Sequence, residues 1–368
     1  MLIHYLILKI RDSLYRHGWK KVVKADVPTV CVGNITVGGT GKTPHTEMIL
    51  RELLKSDKWG ASNIAVLSRG YKRRSRGFQQ VVRDGSAAFC GDEPLQIKRK
   101  FPAVTVAVDK DRVEGCRFLT HPEELSQSRK ARRCMNKELP ASDFIVLDDA
   151  FQYRRLEADM DIVLVDYNRP VGKDRLMPFG RLRDLKSRLR DADIIIVTKC
   201  PSYMDEEERI DFAHYLGLKY FNPAKHLGTT AGGQNQTVLF TTIKYGQSQP
   251  VFETSESRYV YSHKVILFSG IADDTPLLHS LSDRYKVVRH FRFPDHHTYT
   301  SGDFSGIKAA VKANPTAAVA TTEKDAQRVM DYNGVPEILR ERMFMVPIEV
   351  EFLTEEEHDI FREKLLAI

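Results

Sequence analysis

Short apolar runs rich in β-branched residues recur along the first two hundred positions, at residues 28–32, 64–67, 104–108, 144–147, 162–165 and 194–197. Each ends in Gly, Ser, Asp or Thr-Lys, and longer stretches with polar residues at helical spacing separate them. Continuous apolar runs of this length read as parallel strands buried on both faces, with helices outside. The pattern predicts an α/β, doubly wound parallel sheet over residues 25–225, which would bind ligands at the carboxyl ends of its strands. Residues 226–262 are rich in Thr, Ser, Gly and Gln, with alternating apolar positions at Val238, Phe240 and Ile243. They are expected to form a two-stranded β linker. A second, smaller α/β lobe over 263–368 follows, with strands at 265–268, 287–290 and 317–321 and a helix beginning within 272–281.

The first ten residues, MLIHYLILKI, are almost all apolar and give way to a basic, aromatic stretch. Ten residues cannot cross a bilayer, which needs about 20. No positive charge precedes the run and no small-residue cleavage site follows it, so it does not fit a secretory signal. Leu2, Ile3, Leu6, Ile7 and Ile10 fall at helical spacing. Lys9, Arg11, Arg16, Lys20 and Lys21 supply cations, and Tyr15 and Trp19 suit a headgroup boundary. Residues 1–24 are therefore either an amphipathic membrane-interface helix or a helix packed on its own domain.

Composition narrows the class. Hydrophobic residues make up 42% and charged residues 29% of the 368 positions, the balance of a globular protein. The net charge of +7 hides an asymmetry: residues 1–200 carry 38 Lys+Arg against 25 Asp+Glu, and the remainder 18 against 24. The first half should meet something anionic, whether phosphate-rich ligand, nucleic acid or acidic membrane. The five cysteines show no C-x-x-C pair and read as reduced thiols of a cytosolic protein, with no metal site.

The sharpest chemical signal is VPTVCVGNITVGGTGKTPHTEMILREL, which predicts a strand, a glycine-rich loop and a helix. G-x-x-x-x-G-K-[ST] needs backbone amides around phosphate oxygens, a Lys on the β/γ-phosphates and a hydroxyl for magnesium. Gly41, Lys42 and Thr43 match it, with Thr36 standing at the first Gly position. The loop residues Thr36, Val37, Gly38, Gly39, Thr40 and Gly41 are expected to cradle ATP, making the fold P-loop NTPase-like. Thr43 with Asp148 or Asp149, the acidic pair after an apolar strand, would hold Mg2+.

In order along the chain, GNITVGGTGKTP, LSRGYKR, GDEP, DDAFQ, FPDHH and TEKDA resemble the tetraacyldisaccharide 4'-kinase (lipid A 4'-kinase) family. Ser or Thr is usual there at the Thr36 position. The resemblance implies transfer of the ATP γ-phosphate to the 4'-hydroxyl of an acylated glucosamine disaccharide 1-phosphate. The reaction would take place at the cytoplasmic face of the inner membrane, with the protein bound peripherally to that leaflet. It further implies that Asp92 is the general base, supported by His296 with Asp295 beside it and His297 as a second candidate. By itself Asp92 reads as a helix N-cap before Pro94. Arg69, Gly70, Tyr71 and Lys72 would position the acceptor, together with Arg183, while Arg73, Arg74 and Arg76 read as a solvated charge run. Lys324 would reach the ATP phosphates if the lobes close. Three positions depart from the family pattern: Asp184 for Glu, Leu185 for Pro and Tyr153 for His.

Two rival readings remain. A P-loop GTPase or metallochaperone is disfavoured because Thr198-Lys199-Cys200-Pro201 lacks the Asp that reads guanine. For a nucleic-acid-dependent ATPase, the cations lie at the site rim and the apolar amino terminus instead of along a surface suited to a duplex, so no nucleic acid is expected.

Overall fold

A computed structural model describes residues 2–259, 261–295 and 297–368. The chain divides into two compact units that are interleaved in sequence. The first comprises Met1–Arg83, Ile97–Ile243 and Val350–Ile368, and the second Asp84–Gln96 and Lys244–Glu349.

The first unit is built on strands β1 (Thr29–Gly33), β2 (Ile64–Ser68), β3 (Thr105–Val108), β4 (Phe144–Asp148), β5 (Met160–Asp166) and β6 (Ile194–Thr198). β7 (Leu218–Asn222), β8 (Leu227–Thr230) and β9 (Asn235–Tyr245) extend them. Every residue of β1, β2, β3, β4 and β6 is buried, as the apolar runs require. The order across the sheet is β7-β8-β9-β6-β5-β1-β4-β2-β3, with the six core strands parallel. The predicted doubly wound sheet is therefore present. The expected β linker differs: β8 and β9 pair antiparallel, but β9 also pairs parallel with β6, so this hairpin continues the sheet. Val238 and Phe240, fully buried, are what draw it in.

Four helices matter to the site: α1 (Leu2–Arg16), α2 (Lys42–Lys55), α3 (Asp92–Lys100) and α4 (Glu323–Met330). α2 follows the loop after β1. A fifth, α5 (Glu355–Leu366), returns the chain to the first unit, which the expected 263–368 lobe had not separated out. Buried Glu357 on α5 accepts from the Phe240 amide at 2.9 Å.

The second unit has a five-stranded sheet in which β10 (Lys264–Ser269), β11 (Lys286–Arg292), β12 (Ala318–Thr322) and β13 (Met343–Val346) run parallel in the order β13-β12-β10-β11. Apolar clusters around Phe268 and Phe304 and around Leu267 and Phe344 fill its core.

Candidate functional site

In the first unit the phosphate loop is held on several sides. Gly41 adopts φ 86° and Gly38 φ 112°, conformations open to glycine without strain, and α2 begins at Lys42. The Asn34 amide donates to Thr40 Oγ1 at 2.7 Å, and Thr198 Oγ1 donates to the Thr40 carbonyl at 3.0 Å. Lys199 Nζ donates to the Gly39 carbonyl at 2.5 Å and to Asp166 at 2.7 Å. On the opposite flank, the Val37 amide donates to the Arg181 carbonyl at 2.8 Å and Thr36 bridges Leu182. His45, one turn into α2, donates from Nδ1 to the Gly41 carbonyl at 2.7 Å and faces Thr241 Oγ1 from Nε2 at 3.0 Å. Its burial pushes the imidazole down to about 4, so the ring stays neutral.

β4 delivers the acidic pair beside this loop, with Val32 of β1 in register with Asp148. Asp148 is almost fully buried and accepts from Ser68 Oγ at 2.9 Å. Asp149 takes the left-handed conformation, φ 52°, which turns its carboxylate towards Arg183 and to 3.8 Å from Lys42 Nζ. Burial disfavours the Asp149 charge, yet Lys42 and Arg183 outweigh it and hold the carboxyl below its usual range. Arg183 also donates to Asn34 Oδ1 at 2.5 Å, tying its own loop to the start of the phosphate loop. Lys42, Asp149 and Arg183 thus meet, while of the run Ser68-Arg69-Gly70-Tyr71-Lys72 it is Ser68 that bonds Asp148. Arg69 and Tyr71 are exposed, and Lys72 Nζ lies over the Tyr71 ring at 5.6 Å.

Sequence reasoning had not singled out Arg112 or Asn34. Arg112 is nearly buried and donates to the carbonyls of Asp109, Lys110 and Asp149 at 3.0–3.3 Å, bracing the turn that carries Asp149. Arg73 is not solvated as the charge run suggested. It bonds the Val108 and Gly77 carbonyls at 3.2 and 2.7 Å and pins the loop after β2. The departures also find partners. Tyr153 donates to Asp111 at 2.7 Å. Asp184 is fully buried, accepting from Arg11 of α1 at 3.3 Å and from the Leu185 amide at 2.9 Å. Arg11 and Asp184, with Arg16 on Asp191 at 2.9 Å, anchor the polar side of α1. Its apolar side stays bare: Ile3 is 75%, Ile7 57% and Ile10 59% exposed.

The second unit gathers the remaining candidates. Asp92 is the first residue of α3, so it is not the N-cap. Gly91 before it takes φ 99°, and the Asp92 carboxylate turns to Arg328. Lys324 Nζ lies 3.6 Å from Glu93 and 3.9 Å from Asp295. α4 therefore joins the GDEP, FPDHH and TEKDA strings on one side. His297 bonds Asp303 at 3.0 Å and stacks on Phe293. His296 lies outside the described residues.

The chain resembles known proteins along almost its whole length. A model of the family described as tetraacyldisaccharide-1-P 4'-kinase matches residues 1–367. A tetraacyldisaccharide 4'-kinase of Phocaeicola vulgatus is 36% identical over 97% of this chain and 90% of its own length. One from Parabacteroides distasonis is 38% identical over 95% and 88%. Among solved structures, LpxK from Aquifex aeolicus in complex with ATP superposes with a TM-score of 0.67 at 26% identity, covering 99% of this chain and 96% of that one. The loop, acidic pair and six strings in register have one common explanation: the chain belongs to the tetraacyldisaccharide-1-P 4'-kinase family.

Proposed function

We infer that this protein transfers the γ-phosphate of ATP to the 4'-hydroxyl of an acylated glucosamine disaccharide 1-phosphate, a step of lipid A biosynthesis. The observation that carries the reading is the Lys42–Asp149–Arg183 cluster on a phosphate loop, in a chain matched over residues 1–367 by the family model.

Phosphoryl transfer depends on positioning and charge neutralisation more than on covalent chemistry. The loop amides and Lys42 are suited to the ATP phosphates, and His45, Asn34 and Lys199 hold the loop in shape. Magnesium, when bound, neutralises charge on the β- and γ-phosphates. Residues at the site fit such an ion: Thr43 stands in the first turn of α2, and Asp148 presents a carboxylate at the end of the neighbouring strand. Among the described residues no cluster of three or more His, Cys, Asp or Glu side chains could hold a metal. That suits magnesium, which takes one or two protein oxygens and fills its shell with phosphate and water. Because Asp149 serves Lys42 and Arg183, we assign the metal contact to Asp148 with Thr43. Asp92 would accept the proton of the sugar hydroxyl, with Asp295 and His296 supporting it and Lys324 supplying positive charge. Arg69, Gly70, Tyr71, Lys72 and Arg183 would receive the acceptor and its 1-phosphate.

The bare apolar side of α1 supports peripheral attachment to the cytoplasmic leaflet of the inner membrane. His4 of α1 lies 3.2 Å from the Met177 carbonyl, and Phe179, two residues on, is 69% exposed. Two apolar segments therefore adjoin basic Lys9, Arg175 and Arg181, a combination suited to an anionic bilayer. Among the described residues no helix is long and apolar enough to cross a membrane.

The deciding assay is magnesium-dependent transfer from labelled ATP to tetraacyldisaccharide 1-phosphate in detergent micelles. Product is expected from the wild type and not from Lys42→Ala. If the wild type binds ATP but forms no product, the proposed acceptor is wrong.

A further inference from the structure

The Asp92 carboxylate is held in a particular way. One of its oxygens, Oδ2, accepts from both Arg328 Nε at 2.8 Å and Arg328 Nη2 at 2.7 Å. The third guanidinium nitrogen, Nη1, turns away from Asp92 to Asp325 Oδ1 at 2.9 Å and the Gly270 carbonyl at 3.2 Å. Arg328 is nearly buried, and Asp325 wholly so. Asp325 is fixed in turn: its Oδ2 accepts from the Gly270 amide at 2.9 Å and from Thr322 Oγ1 at 2.8 Å, and its own amide donates back to Thr322 Oγ1 at 3.0 Å. Thr322 is the last residue of β12 and the N-cap of α4.

From these contacts we propose that Arg328 is a positioning residue for Asp92, transmitting the rigid end of β12 through Asp325 to the carboxylate that accepts the sugar proton. This rests on the reading of Asp92 as the general base. A planar guanidinium tied at Nη1 has little freedom left, so its Nε–Nη2 edge defines where Oδ2 sits. Such a fork does what a flexible surface ion pair does not. It fixes the carboxylate's location. Lys324, one helical turn earlier on α4, lies 3.6 Å from Glu93 and 3.9 Å from Asp295, longer than the Arg328–Asp92 contacts. Nothing in the sequence pattern flagged Arg328, which reads there as one more cation on an amphipathic helix.

A purely structural salt bridge would lower the melting temperature when removed and leave the turnover of the folded enzyme intact. Positioning predicts otherwise. The full-length enzyme should be assayed as wild type, Arg328→Lys, Arg328→Gln, Asp92→Asn and Asp92→Asn/Arg328→Lys, with melting temperatures measured alongside. Misplacing a reacting group by about 1 Å can cost roughly a hundredfold in rate. We expect kcat to fall about tenfold for Arg328→Lys and about a hundredfold for Arg328→Gln, with the KM for ATP within about twofold of wild type. The double variant should be no slower than Asp92→Asn alone, because Arg328 acts through Asp92. Wild-type kcat in folded Arg328→Lys, or a further loss in the double variant, overturns the proposal. If Arg328→Gln fails to fold, Arg328→Lys decides. An active Asp92→Asn would remove the base reading itself, whereas an inactive Asp92→Asn beside a fully active Arg328→Lys overturns only the role of Arg328.

Discussion

The two units build their functional groups by opposite routes. In the first, the phosphate loop occupies residues 36–43 of one strand–loop–helix segment, and its geometry is set largely by backbone: two glycines with positive φ and a helix start at Lys42. In the second, Asp92, Gly270, Asp295, Lys324, Asp325 and Arg328 come from four separate stretches spread between positions 92 and 328, and side-chain hydrogen bonds define the result. A cradle for phosphate can be local because successive amides already point one way. Aiming a single carboxylate requires atoms fixed from several directions, which only tertiary packing supplies.

The comparison can be broken most directly by separating binding from turnover. Lys42→Ala should reduce kcat by roughly 10²–10³-fold, as loss of a charge-stabilising donor does, and also diminish thermal protection by ATP. Asp92→Asn should reduce kcat by roughly 10²–10⁴-fold, the usual worth of a general base, while ATP protection remains. If both variants lose protection equally, the division of labour fails. Arg183→Gln removes a charged partner of Asp149 and a donor to Asn34. A charge-assisted contact of about 1.5–3 kcal/mol predicts a roughly tenfold to hundredfold loss in kcat/KM, read in the micelle assay.

A smaller effect tests the rigidity of the loop. The folded value of His45, about 4, lies below its unfolded value of about 6.5, so the unfolded chain binds the extra proton between those limits. His45 therefore costs stability as pH falls from about 6.5 towards 4. Asp109 and Asp161, pushed up by burial to about 6 and about 7, act with the opposite sign. The readout is thus the difference in melting temperature between wild type and His45→Gln across that window: it should shift in favour of the variant on acidification, and a constant difference would discount the buried neutral imidazole. Smallest of all, Phe179→Asp should weaken sedimentation with anionic vesicles several-fold and leave soluble ATP binding unchanged, since the side chain is largely exposed. Unaltered sedimentation would confine membrane contact to α1.

Much of the first unit was legible because its signals are local. Runs such as TVCVG and IAVLS are buried along their whole length, and GGTGKT combines turn-permitting glycines with a helix start. The hairpin at β8 and β9 was legible as strands but not as members of the large sheet, since the pairing of Val238 and Phe240 with β6 depends on residues forty positions away. Arg73 and Asp184 read as solvated or doubtful for the same reason: burial and partners are not written in a residue's neighbours.

By itself, then, the chain determined its strands, its phosphate loop and the amphipathic period of α1, all properties of backbone preference and short-range pattern. Tertiary structure decided which charges are buried and what they hold. Asp149 was turned onto Lys42 and Arg183, Asp184 received Arg11, and Arg328 was fixed between Asp325 and Asp92. A buried charge is tolerable only with partners in place, and those partners exist only once distant segments have packed.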